Sequence, residues 1–426
     1  MTVRNFQYRS LSRLQVIYSG WGEQWVLGHL AESTVRGRYL FEYTHDALES
    51  GIEFSPLKLP LSTETYTNFE HFQDWLPGFI SDSLPDGWGR LLMDRFLRRN
   101  HVDPGRISVL ERLALLGDNT MGALTYQPVL PLPDDQEDKY SILSLTGLAQ
   151  QIRQEVTGQD SEALQELFLL GGSPHGARPK AQVEYNPSTG QMRTTAFPGS
   201  EPWLVKFPAA EENPWVCALE EVYACMARMA NIDFPASRYF RLEGELAAFG
   251  VRRFDRENGM RVPVLSMAGA LHADFRLPCM DYTDILRATG FITRSVVERE
   301  IQAQRMVFNV LMYNRDDHVK NFAFILNEND EWVVSPAYDL TFADGPGGQH
   351  QTAVGGHGSD ITRTMLLKVA NNAGIAQDRM NNIINEVADV VADFAHTAQD
   401  VTDDIPTDEL HQVTNCINRN LSYLKR

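Results

Sequence analysis

Cysteine is scarce in this chain: Cys217, Cys225, Cys279 and Cys416 are the only four in 426 residues, and none is spaced to pair with another. Their scatter argues against a disulfide framework and against a thiolate zinc site, which leaves inert thiols. Long apolar runs are missing as well. No stretch approaches the ~20 apolar residues that span a bilayer. The opening MTVRNFQYRS has neither an apolar core nor a small-residue cleavage site, so the expectation is a cytoplasmic chain with no membrane association. Positive charge is in deficit, with 38 Lys and Arg against 56 Asp and Glu and a formal net charge of −18. Direct binding to nucleic acid needs a basic stripe to neutralise phosphates, so any DNA contact is expected to come through a partner. Internal repeats and low-complexity tracts are also lacking.

What is present is an ordinary globular composition, 43% hydrophobic and 22% charged, over a length that exceeds one compact core. Residues 1 to about 60 alternate apolar and polar positions in short runs such as LQVIYSG and GRYLFEYT, the pattern of a small β unit. After SLPDGW, where Pro85 and Gly87 supply turn chemistry, GRLLMDRFLRR predicts a helix with a basic last turn. PVLPLPDDQEDKYS combines three prolines with an acidic run and reads as a stiff solvated connection near 130 to 140. The organisation expected from these shifts is an N-terminal subdomain over 1–135, a mixed segment over 136–265, and a mainly helical segment over 266–426.

The stretch densest in chemistry is NRDDHVKN, residues 314–321, which follows the apolar helical segment MVFNVLMY. Asp316 and Asn321 stand in the D, four residues, N spacing of a protein-kinase catalytic loop. There the Asp positions an attacking hydroxyl and the Asn binds magnesium. Downstream, FAFIL and EWVVS predict a hairpin across NEND. With Leu326 opposite Glu331, Asn321 falls opposite Pro336 and Asp339 follows shortly after. Asn321 and Asp339 then supply the hard oxygen ligands that magnesium takes. Each residue alone is more simply a helix cap or turn former; the spacing and the hairpin together favour a site.

A second constellation is LLGGSPHGARPK, residues 169–180. Gly171, Gly172 and Gly176 permit close backbone approach to phosphate oxygens, and Arg178 and Lys180 add positive charge. The pattern is neither a P-loop nor the strict kinase glycine loop. In EPWLVKFP, Trp203, Val205 and Phe207 face one side of a strand and Leu204 and Lys206 the other. Such a lysine either reaches solvent or meets phosphate, as the strand lysine of a kinase does. The helix after it is predicted with Asn213 as N-cap and Pro214 at its first position. Its apolar stripe is Trp215, Leu219, Val222, Met226 and Met229, and Glu220 falls off it, with Lys206 as the natural partner if the flank is buried. AAFGVRRFDR reads as a strand leading to a hinge-like position at Arg253 and Phe254, or to a solvated charge cluster.

Taken in order, SPLKLPL, SLPDGW, LLGDNTMGALTYQP, GGSPHGARPK, WLVKFP, VRRFDR, NRDDHVKN and SPAYDL resemble the HipA family of bacterial toxin kinases over nearly the whole chain. The resemblance implies an α+β, two-lobed protein-kinase-like fold, related to the phosphoinositide kinases, with a β-rich N-terminal addition and a helical C-terminal lobe. It implies ATP and magnesium as cofactors, Asp316 as the catalytic carboxylate, and Asn321 and Asp339 as metal ligands. Around the nucleotide it sets Gly172, Ser173, Gly176, Arg178, Lys180 and Lys206, and less securely Glu220, Arg253, Phe254 and His318. Ser173 would be autophosphorylated, and its phosphate would expel the glycine loop toward exposed cations such as Arg178 or Lys180. A small helix-turn-helix DNA-binding antitoxin and a protein substrate, in the best-known case an aminoacyl-tRNA synthetase, are the implied partners. The competing expectations are an aminoglycoside-type small-molecule phosphotransferase and a binding-only pseudokinase.

Overall fold

The computed structural model describes residues 10–131, 144–156, 164–172, 174 and 176–425. Its architecture mixes helix and strand, 40% and 19%, as the sequence patterns lead one to expect. The backbone divides into two compact units, one built from residues up to 212 with 241–265, the other from 213–240 with 266–426. The acidic connection foreseen near 130 to 140 lies largely outside the described residues.

In the first unit, strands Arg13–Tyr18, Trp25–Glu32, Tyr39–Tyr43 and Leu124–Gln127 form one antiparallel sheet, with Arg13–Tyr18 between Trp25–Glu32 and Leu124–Gln127. The alternation seen in the sequence is used as expected: Leu14 and Val16 are buried while Arg13 and Gln15 face solvent. Helix Gly87–Arg99 follows SLPDGW, buries Trp88, Leu92, Met93 and Phe96, and ends on Arg98 and Arg99, where cations meet the negative end of the helix dipole. Helix Val109–Leu116 opens with a capping box in which Ser108 accepts from the Glu111 N–H and Glu111 accepts from the Ser108 N–H.

A second sheet in this unit aligns Lys180–Tyr185 against Glu201–Lys206, which in turn pairs with Leu246–Arg252, all antiparallel. Directly after Leu246–Arg252 the chain enters a buried charge cluster. Asp255 accepts from Arg253 at 2.9 and 2.7 Å, from Arg256 at 2.8 Å and from the Gly122 N–H at 2.8 Å. Burial alone would raise the Asp255 pKa, but the two guanidinium groups outweigh it and hold the carboxyl well below the usual range. Burial pushes Arg256 down to about 9, although Asp255 opposes the shift.

The second unit is mainly helical, with Trp215–Met229, Tyr282–Thr293, Val296–Leu311, Arg363–Asn372, Gln377–Val391, Phe394–Val401 and Thr407–Tyr423. Helix Trp215–Met229 starts later than its sequence suggests: Pro214 has helical angles, φ −56 and ψ −28, but no side chain caps this end. Asn213 contributes its carbonyl to the Val216 N–H instead. Nor is the helix buried on one stripe alone. Glu220, Glu221 and Tyr223 are buried with Leu219, Val222 and Met226, while Met229 is exposed.

Helix Val296–Leu311, capped by Ser295, packs against Tyr282–Thr293 and Gln377–Val391 and carries the candidate site at its end. Strands Ala323–Leu326 and Trp332–Val334 form the expected hairpin, but in a shifted register. Leu326 pairs with Trp332, not Glu331, which moves the projected partner of Asn321 from Pro336 to Ala337. The cause is the turn. Asp330 takes φ 58, and the Asn327 N–H bonds the Glu331 carbonyl at 3.0 Å, so that one more residue enters the loop.

Candidate active site

The last turn of helix Val296–Leu311 delivers the chain into Tyr313, whose φ of 57 turns the backbone sharply out of the helix. The Asn314 N–H still bonds the Asn309 carbonyl at 2.9 Å, and Asn314 forms a parallel bridge to Ala343. Arg315 is buried. Its guanidinium lies over the Tyr313 ring at 3.9 Å and donates to the Tyr313 hydroxyl and to the Gly348 carbonyl. Residues 343–352 are thereby drawn along the loop. This close run needs Gly345 at φ 68, because a Cβ there would lie 2.1 Å from the Gln349 carbonyl oxygen and 2.7 Å from the Arg315 Cβ.

The two adjacent aspartates then part company. Asp317 points inward and is fully buried, accepting from the Tyr282 hydroxyl at 2.8 Å, the Gln351 N–H at 2.9 Å and the Thr352 N–H at 3.2 Å. His350 Nδ1 lies 2.8 Å from its second oxygen. Tyr282 is in turn held by the Asn309 amide at 3.0 Å, and Asn309 by the Asn314 amide at 3.0 Å. Asp316 points outward and receives Gln351 Nε2 at 3.2 Å on its carboxylate. Partial desolvation raises the Asp316 pKa, and Asp339 and Asp317 add to the rise while His318 opposes it. Asp316 and Asp339 are therefore electrostatic neighbours.

Asn321 closes the loop. Its Nδ2 donates to the Asp316 carbonyl at 2.7 Å, which fixes the amide so that Oδ1 is the atom left for another partner. His318 accepts from the Lys320 N–H at 3.2 Å and caps the short turn Val319–Asn321. Asp339 has φ 52, a conformation Asp tolerates better than most residues. Among the described residues no three His, Cys, Asp or Glu side chains gather as metal ligands. The donors here are an amide oxygen and carboxylates, hard ligands that fit a magnesium ion completing its shell with phosphate and water.

The first unit carries the cationic residues. Lys180 and Lys206 are directly opposite in the sheet, so their side chains share one face, and both are buried. Lys180 is therefore not the exposed cation foreseen for a displaced glycine loop. Phe249 is the next residue across, and the Lys206 ammonium lies 5.7 Å from its ring centre. Gly176, at φ 106, passes close over Lys180: a Cβ there would lie 2.6 Å from Nζ. Gly172 also has positive φ, and Ser173 lies outside the described residues. Arg178 is engaged with Glu212 through two contacts at 3.0 and 2.8 Å.

Arg253 is no solvated cation. It is buried, bonded to Asp255 and to Gln182 Oε1, while Phe254 is half-buried beside it. Glu220 is buried in the second unit.

Sequence reasoning overlooked the support around these positions. Asp86 of SLPDGW accepts from the Gly176 N–H, and the Trp88 indole donates to the Lys180 carbonyl at 3.0 Å, so this motif braces the glycine loop. Asp317, His350 and Gln351 were also missed. The available signal was the doubled Asp, since two adjacent carboxylates cannot cheaply face one site.

Residues 172–394 match the HipA-like C-terminal domain and residues 19–127 the HipA N-terminal domain. The chain belongs to the HipA family. A solved HipA from Shewanella oneidensis MR-1, determined with HipB and its operator DNA, superposes with a TM-score of 0.70 over 96% of both chains at 19% identity, which shows the shared fold. A protein of Sinorhizobium fredii called putative kinase Y4dM is 26% identical over 288 residues; the match covers 64% of this chain and 64% of that relative. No helix among the described residues is long and apolar enough to cross a membrane.

Proposed function

We propose that this HipA-family chain is an ATP- and magnesium-dependent serine/threonine protein kinase that acts as the toxin of a toxin–antitoxin pair. One observation carries the reading: Asp316, whose carboxylate turns outward, accepts at its backbone carbonyl from the Asn321 Nδ2, which leaves the Asn321 Oδ1 for a ligand. Asp316 accepts a hydrogen bond from the acceptor hydroxyl and orients it, and its raised pKa improves it as a base. Asn321 and Asp339 hold the magnesium ion, which when bound neutralises charge on the phosphate oxygens. Lys206 and Lys180 set positive charge toward the phosphates, and N–H groups around Gly172 and Gly176 approach them. The backbone near Arg253 and Phe254 is the proposed contact for adenine, and Glu220 is a proposed contributor to nucleotide binding. His318 steadies the loop by accepting from the Lys320 N–H.

A small DNA-binding antitoxin is the proposed partner, in line with the HipB bound to the Shewanella HipA. Contact with DNA is then indirect, the target is a cytoplasmic protein such as an aminoacyl-tRNA synthetase, and Ser173 is the site of autophosphorylation. Asp316→Ala is expected to lower phosphate transfer by ~10²-fold or more with an unchanged circular dichroism spectrum. Near-normal turnover by this variant would remove the assignment. After incubation with ATP and magnesium, mass spectrometry should find phosphate on Ser173; its absence there would remove the autophosphorylation site alone.

A further inference from the structure

We infer that Gln351 is a positioning residue for phosphoryl transfer, holding the Asp316 carboxylate in its working orientation from a strap that the neighbouring Asp317 anchors. The inference rests on the proposed catalytic role of Asp316. Three observations carry it. First, Gln351 Nε2 lies 3.2 Å from Asp316 Oδ1. The amide cannot be turned over, because Oε1 would then face a carboxylate oxygen with no proton between them. Second, Gln351 Oε1 is buried and has no hydrogen-bond partner among the described residues. A glutamine serving packing alone gains nothing from a stranded acceptor, whereas one recruited for its N–H tolerates it.

Third, the backbone under Gln351 is fixed with unusual care. Asp317 receives the N–H groups of Gln351 and Thr352, and Thr352 returns its hydroxyl to the Asp317 carbonyl. His350, on the other side, touches the same carboxylate at 2.8 Å. Arg315 holds Gly348, and Ala343 bridges Asn314. The strap is therefore tied to the loop at residues 314, 315 and 317 and offers one side chain to residue 316. Three residues of NRDD, Asn314, Arg315 and Asp317, are thus anchors that turn inward, and the Asp316 carboxylate alone of the four turns outward.

The test compares Gln351→Met, which keeps length and loses the amide, with wild type and Asp316→Ala. Phosphate release from magnesium-ATP and transfer to the chain itself are both measured. Gln351→Met should lower kcat by about tenfold to a hundredfold, the range for a displaced reacting group, with the KM for ATP and the melting temperature unchanged. Gln351→Glu, which sets a second carboxylate against Asp316, should lower kcat further.

A Gln351→Met variant with wild-type kcat, while Asp316→Ala is inactive, would overturn the positioning role alone. A fall in kcat matched by a risen KM and a lowered melting temperature would assign Gln351 to structure and overturn it as well. Full turnover by Asp316→Ala, or none by wild type, would overturn the catalytic reading and this inference with it.

Discussion

Two of the buried carboxylates, Asp255 in the first unit and Asp317 in the second, are satisfied in different ways. Asp255 in the first unit sits against two guanidinium groups, those of Arg253 and Arg256. Asp317 in the second has a phenol, an imidazole and two backbone N–H groups. The first arrangement neutralises charge with charge and ties distant segments together. The second gives the carboxyl group hydrogen-bond partners from residues 282 and 350–352, and in doing so it shapes a backbone. A buried carboxylate therefore marks a brace in one unit and the scaffold of a site in the other, and the partner type tells them apart.

The sharpest way to separate the two is to remove them. Asp255→Ala should destabilise the chain by ~3–5 kcal/mol, because two arginines are left in a buried place without their anion, as read from urea unfolding. Its pH dependence follows from the lowered pKa. The ionised form is favoured in the folded state, so its contribution is fully present above the ordinary carboxylate range of ~3.9. It is lost as pH falls from there through the lowered value. A wild-type minus Asp255→Ala difference that grows toward acid would break this account.

Asp317→Asn should cost less, about 1–3 kcal/mol, since it removes acceptor capacity without stranding a permanent charge. Its signature is kinetic as well: kcat falls while the circular dichroism spectrum stays the same.

The smallest effect has the opposite sign. Because the folded-state pKa of Asp316 is raised, its ionisation is disfavoured on folding, and stability falls as pH rises from the ordinary carboxylate range through the raised value. Asp316→Asn should then unfold at a slightly higher urea concentration at neutral pH while being inactive. An unfolding midpoint below wild type would contradict it.

Much of this was legible in the sequence. Period-two alternation assigns Lys206 to the face opposite Trp203 and Val205, and the register confirms that division. The NEND turn announces a hairpin, but its register turned on the left-handed conformation of Asp330, a choice that Asn, Glu and Asp leave open. Glu220 was set apart from the apolar stripe, and its burial follows from neighbours that one helix cannot reveal. The donors to Asp317 were invisible for a plainer reason. Tyr282 and Gln351 lie about thirty-five residues to either side, and only the folded chain brings them to one carboxylate. Arg253 was ambiguous between hinge and charge cluster, because its burial rests on Gln182 and on Asp255, and the rest of that cluster is held by Gly122 and Thr120 from far upstream.

Those upstream residues also decide where the chain can be cut. Arg256 and Arg261 donate to the carbonyls of Thr120 and Gly122, and the Gly122 N–H is spent on Asp255. The segment that matches the HipA N-terminal domain ends at residue 127, so a truncation there looks natural on the sequence. It would sever these bonds and leave a loop of unpaired carbonyls on one fragment and a knot of unsatisfied arginines on the other. Expressed as separate polypeptides, the two pieces should depend on each other for solubility, and a complementation experiment is a better use of that boundary than a domain excision.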